Sequence, residues 1–212
     1  EYTAGLVGSS RPWEENRGMG HSFGYNRMET LKDYRTEREL ILMLIDLTSR
    51  GGNLLLDIGP TADGRIPVIM EERLIQIGEW LQVNGEAIYG TRPWSRTRQF
   101  SEGQAPELKS SRYMTRYDVT DFVDRKRPGQ AVIEAFFTAK GDDLYAIVPG
   151  PPGRTLTLKE LPRAPRSVTL LGRDGELKWT RSGQNLVIEM PDVAAGAARH
   201  AYAVRLSGAA AR

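Results

Sequence analysis

Cysteine is absent from the 212 residues, and histidine occurs only twice. Without thiols there are no disulfide staples, thiolate zinc sites, iron–sulfur ligands or cysteine nucleophiles. The absence does not fix the redox compartment, because secreted and periplasmic proteins can also lack cysteine. His21 and His200 are too few for a multi-histidine metal centre. Long hydrophobic runs are also missing. The longest, Leu40 to Ile45, is stopped by Asp46, well short of the roughly 18 residues that a membrane span needs. Charge of one sign is lacking too, since 29 basic and 27 acidic side chains leave a net charge of +2. Such a balance offers no broad field to nucleic acid. What is present is an ordinary globular composition, 40% hydrophobic with 22 glycines and 12 prolines, long enough for one or two domains. The chain opens on Glu1 with no initiator Met and no basic-then-apolar leader. We therefore expect a preceding segment, either removed or continuous with a longer polypeptide.

Residues 1–35 show little periodicity, and Gly18, Gly20 and Gly24 interrupt any helical pattern. The run 22–26 suits a strand end entering a loop. A helix is predicted from Thr36, because Glu39 follows at capping-box spacing and Leu40, Leu44 and Leu47 then share a face. Gly51-Gly52 should end it. Residues 53–59 are almost continuously apolar and bounded by Gly51-Gly52 and Gly59-Pro60, which predicts a strand buried on both faces, as in a parallel sheet. Asp63-Gly64 marks a turn, Pro67 suits the start of a second helix, and Asn84-Gly85 suits its end. Helix, buried strand, helix is α/β grammar.

After Trp94 the register changes. Residues 95–130 read as polar and irregular. From Ala131 onward the pattern has period two, with further runs at 143–149, 154–159, 167–171, 176–180, 184–190 and 199–206. Turn residues separate them at sandwich-like spacing. The tail 207–212 reads as frayed. The expected fold class is thus α/β plus all-β, with an α/β portion over residues 1–95 and an antiparallel β-sandwich over 96–212. A (β/α)8 barrel takes about 250 residues. Residues 1–95 hold material for two β/α units, so either the sheet is small and open or another segment completes it.

The chemistry is concentrated in residues 1–94, where carboxylates lie near aromatics: Glu1-Tyr2, Trp13-Glu14-Glu15, Phe23 and Tyr25. Sugar sites combine such groups, because aromatic faces pack on C–H patches of the ring while carboxylates protonate the glycosidic oxygen or attack the anomeric carbon. By composition alone, a Trp-Glu pair in a loop reads as packing plus a solvated charge. His21, in a loop between Gly20 and Ser22, reads as solvent-facing or hydrogen-bonded rather than catalytic. His200 is given no role. Ser22 with His21 lacks the elbow of a hydrolase triad, Asp63 has too few carboxylates around it for a calcium loop, and Arg125-Lys126-Arg127 reads as a solvated loop.

The spelling of the motifs is more specific. Trp13-Glu14, then Ser22-Phe23-Gly24-Tyr25-Asn26, then Gly51-Gly52-Asn53-Leu54-Leu55-Leu56-Asp57-Ile58-Gly59-Pro60 follow one another in order. Gly78-Glu79-Trp80-Leu81, Asn84-Gly85-Glu86-Ala87-Ile88-Tyr89-Gly90-Thr91 and Pro93-Trp94 complete the series. Over about 90 residues the order and spacing resemble the C-terminal part of the α-L-fucosidases of retaining glycoside hydrolase family 29. Residues 130–206 resemble that family's C-terminal β-sandwich more loosely. The resemblance implies a retaining exo-hydrolase that removes terminal α-L-fucose from a fucosylated oligosaccharide or glycoconjugate, with no metal or organic cofactor. It implies that residues 1–95 are the final β/α units of a (β/α)8-type barrel. The nucleophilic Asp would lie in a preceding barrel segment or chain, and the compartment would be secreted, periplasmic or lysosomal-type. By the same resemblance, Glu1 aligns with the acid/base carboxylate, with Glu14 as its rival, and Phe23 aligns with an aromatic on the fucose methyl. His21 and Trp13 join Phe23 as expected substrate-binding residues. Asp57 departs from the family's usual Asn and is read as hydrogen-bonding the loop that follows. The alternative reading is a non-catalytic fragment or module that binds glycan or another subunit.

Overall fold

The computed structural model describes residues 11–104, 109–110, 115–116, 118–193 and 199–210, with backbone alone at 109–110 and 115–116. Helix α1 (Glu37–Ser49) starts where the capping box places it. Thr36 N–H donates to Glu39 Oε2 at 2.7 Å, and Glu39 N–H donates to Thr36 Oγ1 at 3.3 Å. The helix stops at glycine for a geometric reason. Gly51 takes φ +89°, and the Gly51 and Gly52 amides return to the Thr48 and Leu47 carbonyls at 3.0 and 2.9 Å, a Schellman closure.

Two strands flank α1 in sequence, β1 (Glu14–Gly18) and β2 (Asn53–Asp57). They pair in parallel, from Glu14 opposite Asn53 to Gly18 opposite Asp57, so α1 lies in the crossover that parallel strands require. Helix α2 (Val68–Asn84) follows β2, begins directly after Pro67, and runs into a single 3₁₀ turn over Gly85–Ala87. The expected two-faced burial of β2 is not what is found. Leu56 packs with Met19, Leu40 and Met70 on the helix side, but Leu55, pointing the other way, is 46% exposed. Among the described residues β1 and β2 pair only with each other, and Glu14, Asn16, Asn53 and Leu55 on their second face are exposed.

The strands of the second half form two sheets. Strands β3 (Arg92–Phe100), β6 (Ile133–Lys140), β7 (Asp143–Pro149), β9 (Val168–Leu170) and β12 (Ala201–Leu206) make a five-stranded antiparallel sheet in the order β3-β6-β7-β12-β9. Strands β8 (Thr155–Leu158), β10 (Trp179–Ser182) and β11 (Asn185–Glu189) make a three-stranded one. The remaining elements are a two-residue ladder, β4 (Lys109–Ser110) with β5 (Thr115–Arg116), and a helical turn α3 (Thr120–Val123). The two main sheets enclose one core, in which Phe137, Leu144, Ala146 and Val204 meet Leu156, Leu158, Leu186 and Ile188. This is the expected sandwich. The tail differs from expectation: Ala209 and Ala210 are buried in that same core, and Ala210 N–H bonds to the Asp142 carbonyl at 2.9 Å.

The sandwich has a third layer. The outer face of the five-stranded sheet carries Phe136, Tyr145, Ile147, Ala201 and Ala203, and these pack on Ile41, Leu42 and Ile45 of α1 and on Trp80 of α2. Both faces of β6, β7 and β12 are therefore buried, and their sequences run apolar without alternation. Polar pins fix the seam. Trp80 Nε1 donates to the Ala201 carbonyl at 2.9 Å, Asn84 Oδ1 accepts from Ala203 N–H at 3.1 Å, and Thr138 Oγ1 donates to the Ala87 carbonyl at 2.7 Å. Residue 95, the expected division of the chain, falls inside β3, which pairs with β6.

Candidate functional site

A parallel pair presents both carboxyl ends on the same side, and loops from those ends form sites in βα architectures. Here the loop after β1 runs from Met19 to Arg35, and the loop after β2 from Ile58 to Pro67. The first is closed at its base, where Arg35 N–H donates to the Met19 carbonyl at 2.9 Å and Met19 N–H donates to the Asp57 carbonyl at 3.1 Å. The two loops touch at Gly59: a Cβ there would stand 2.3 Å from Tyr25 N, so only glycine admits the contact.

The Met19–Arg35 loop presents His21 and Phe23 together. Phe23 is 56% exposed and Tyr25 46%. The His21 ring is exposed, with Nδ1 3.7 Å from Asp33 Oδ1. Asp33 is held below the usual carboxylate range, chiefly by the Thr30 N–H at 2.6 Å and the Thr30 hydroxyl at 2.9 Å. Inside the loop, Glu29 Oε1 accepts from Ser22 N–H at 2.7 Å, and Asn26 Nδ2 donates to Ser22 Oγ at 3.0 Å. Asp57, half-buried, ends β2 on this same side.

Trp13 and Glu14 lie elsewhere. They stand at the amino end of β1, four residues and roughly 13 Å of extended strand from its carboxyl end. The Trp13 ring lies under Arg50, whose Cζ is 5.2 Å from the centroid. Trp13 also presses on Gly52, where a Cβ would come within 2.5 Å of the ring. Glu14 is exposed, while its neighbour Glu15 is 1% exposed and bonded to Arg17 Nε at 2.5 Å. A cleft of about 710 Å³ opens at this amino end, bordered by Arg11, Asn53, Tyr89 and Arg92 among others. Glu1 lies outside the described residues. The structure thus brings His21 and Phe23 together and separates both from Trp13 and Glu14.

Three groups escaped the sequence reading. Glu29 is distant in sequence from the loop tip that it braces. The Asp33 partner of His21 is hidden among loop residues. The third is an ionic cluster between α1 and β3, where Asp46, 1% exposed, sits between Arg50 at 3.1 Å and the closer Arg98. The signal for it was present, since Asp46 interrupts an apolar helix run. Among the described residues no group of three or more His, Asp or Glu side chains gathers to hold a metal ion, and no helix is long and apolar enough to cross a membrane.

Comparison with known proteins bears on both halves. A family model described as alpha-L-fucosidase matches residues 3–86, and one described as the alpha-L-fucosidase C-terminal domain matches residues 131–207. The alpha-L-fucosidase of Branchiostoma floridae is 35% identical over 98% of this chain and 40% of its own length. The tissue alpha-L-fucosidase of Homo sapiens is 33% identical over 88% of this chain and 35% of its own. Among solved structures, the Thermotoga maritima alpha-fucosidase bound to a mechanism-based inhibitor superposes with a TM-score of 0.69 at 29% identity. That match covers 93% of this chain and 40% of that one. The chain therefore spans about two fifths of the length of the relatives it matches.

Proposed function

Because the chain belongs to the α-L-fucosidase family of glycoside hydrolases, we propose that it is the C-terminal portion of a retaining exo-fucosidase acting on fucosylated oligosaccharides or glycoconjugates. In this reading residues 1–95 are the last β/α units of a (β/α)8-type catalytic barrel and 96–212 the sandwich, with β3 straddling the seam. The observation that carries it is the parallel β1–β2 pair. Its open edges and uncovered Leu55 face suit the missing strands and interior of a barrel, and the carboxyl-end loops carry Phe23 and His21.

The chemistry needs two carboxyl groups, roughly 5 Å apart in retaining enzymes. An Asp from the preceding barrel segment attacks the anomeric carbon while Glu1 gives its proton to the departing glycosidic oxygen. Glu1 then takes a proton from water, and the resulting hydroxide displaces the Asp and releases fucose. The amino-end position of Glu14, away from His21 and Phe23, supports Glu1 over it. Phe23 packs on the sugar's methyl face, and His21, oriented by Asp33, contacts its hydroxyls. Trp13 in this scheme supports the strand from below, stacked on Arg50.

The test is hydrolysis of p-nitrophenyl α-L-fucoside by the chain joined to its nucleophile-bearing segment. Glu1→Gln should lower kcat by about 10²–10⁴-fold, azide should restore part of the rate, and Glu14→Gln should stay within about 3-fold. An unchanged rate for Glu1→Gln together with a collapse for Glu14→Gln would reverse the assignment.

A further inference from the structure

We propose that Glu29 is a positioning residue for the sugar site, an internal brace that fixes Ser22 and so aims Phe23 and His21. The proposal rests on the fucosidase reading for its substrate and on the loop's geometry for its mechanism.

The Met19–Arg35 loop is long for a segment without regular structure, and such loops keep one shape only when something inside them holds it. The Met19–Arg35 base pins the two ends but leaves the tip undetermined. Glu29 reaches back seven residues to accept the Ser22 amide at 2.7 Å, directly between His21 and Phe23. A bond from an amide to a carboxylate is among the stronger kinds. Its own backbone is tied as well, since Glu29 N–H donates to the Asn26 carbonyl at 3.0 Å.

Two independent features show that the fold is built around this carboxylate. Gly20 leaves it room, for a Cβ at position 20 would stand 2.5 Å from Glu29 Oε2. Tyr34, on the returning limb of the loop, has its pKa pushed up by burial first and then by the nearby Glu29 charge. Its phenol therefore stays protonated beside the carboxylate. The brace thus ties the descending limb (Gly20, Ser22) to the returning limb (Glu29, Tyr34). The side chains that face outward, His21 and Phe23, are the ones whose positions it sets.

The experiment uses the chain joined to its nucleophile-bearing segment, with p-nitrophenyl α-L-fucoside as substrate and L-fucose as competing ligand. Glu29→Ala should raise KM and the L-fucose inhibition constant by about 10-fold while kcat stays within about 3-fold, the signature of lost positioning rather than lost chemistry. Glu29→Gln keeps a carbonyl acceptor for the Ser22 amide and should restore both constants to within about 3-fold. Gly20→Ala, which must push the carboxylate aside, should resemble Glu29→Ala, and it serves where Glu29→Ala does not fold. Amide exchange at Ser22 should quicken by about 10-fold in Glu29→Ala with the α1 amides unchanged. Unaltered Ser22 exchange or unaltered KM overturns the brace, as does a kcat loss with a displaced pH profile. A wild-type protein that hydrolyses no fucoside overturns the fucosidase reading instead, and the Ser22 exchange in the same samples still decides whether Glu29 braces the loop.

Discussion

Replacing Asp46 by alanine should unfold more of this protein than any surface substitution. The carboxylate is 1% exposed, on the sheet-facing side of α1. Arg50 from the next helical turn approaches it to 3.1 Å with a side chain 2% exposed, and Arg98 of β3, 16% exposed, bonds its other oxygen. Alanine would remove the buried carboxylate that both guanidinium groups contact. Removing one partner of a buried ionic group costs about 3–5 kcal/mol, mostly as the penalty on the charges left behind. For a chain of 150–250 residues each kcal/mol moves Tm by about 2–4 °C, so the melting midpoint should fall by about 6–20 °C. Circular dichroism melts of Asp46→Ala, Arg98→Ala and the double variant provide the assay. The double variant should lose less than the sum of the two single losses, because each substitution removes the same contact. Asp63→Ala is the control. Its pair with Arg65 is also 3.1 Å long, but the side chains are 61% and 85% exposed, and the midpoint should move by less than about 2 °C. A fall of under about 2 °C for Asp46→Ala would refute the reasoning, and additivity would show that Asp46 and Arg98 do not act together.

The seam between helices and sheet makes a second prediction. Asn84→Ala removes the acceptor of the buried Ala203 amide and the donor to the Trp80 carbonyl, and should cost about 2–3 kcal/mol in urea unfolding with little change in m. The third concerns acid. Despite burial, the Gly208 amide and the Arg205 guanidinium hold Asp143 below its ordinary value of 3.8, and Arg199 and His200 hold Glu37 below its ordinary 4.5. A depressed folded pKa gives stability that is whole above the unfolded value and is lost as pH falls through the folded one. Stability should therefore decline below about pH 4.5, and Asp143→Asn should flatten that decline in melts taken between pH 6 and pH 3.

The sequence revealed elements wherever local chemistry and tertiary packing agree. Thr36 with Glu39 starts α1, Gly51-Gly52 stops it, and alternating or continuous apolar runs mark β6 to β12. Two strands did not announce themselves. β1 reads Glu-Glu-Asn-Arg-Gly, with no apolar face, and its buried residue is the charged Glu15, paired with Arg17. β3 carries Arg92, Arg96 and Arg98, and reads as a polar linker. In the fold the Arg96 guanidinium lies over the rings of Trp94 and Phe137, at 5.7 and 5.1 Å, and pairs with Glu160 at 3.3 Å. Ala209 and Ala210 looked like a frayed end because small residues carry little hydrophobic signal even when they fill a gap. The third layer was illegible for another reason: α1 is apolar on two sides, and no pattern says which sheet each side meets.

Within the site, the word containing Phe23 stood out by its spelling, with His21 immediately before it. The distance between that word and Trp13-Glu14 was not legible. Only with β1 placed between them does it follow that the two words occupy opposite ends of a strand. Glu29 was illegible because its partner lies seven residues away across a loop with no period.

The most direct measurement compares p-nitrophenyl α-L-fucoside hydrolysis by the 212 residues alone with that by the same residues joined to the proposed preceding barrel segment. The joined protein should turn over the substrate and the isolated chain should not, since the proposed nucleophile belongs to the added part. Hydrolysis by the isolated chain, abolished by a substitution within it, would contradict that division of labour. An inert joined protein would remove the fucosidase reading altogether.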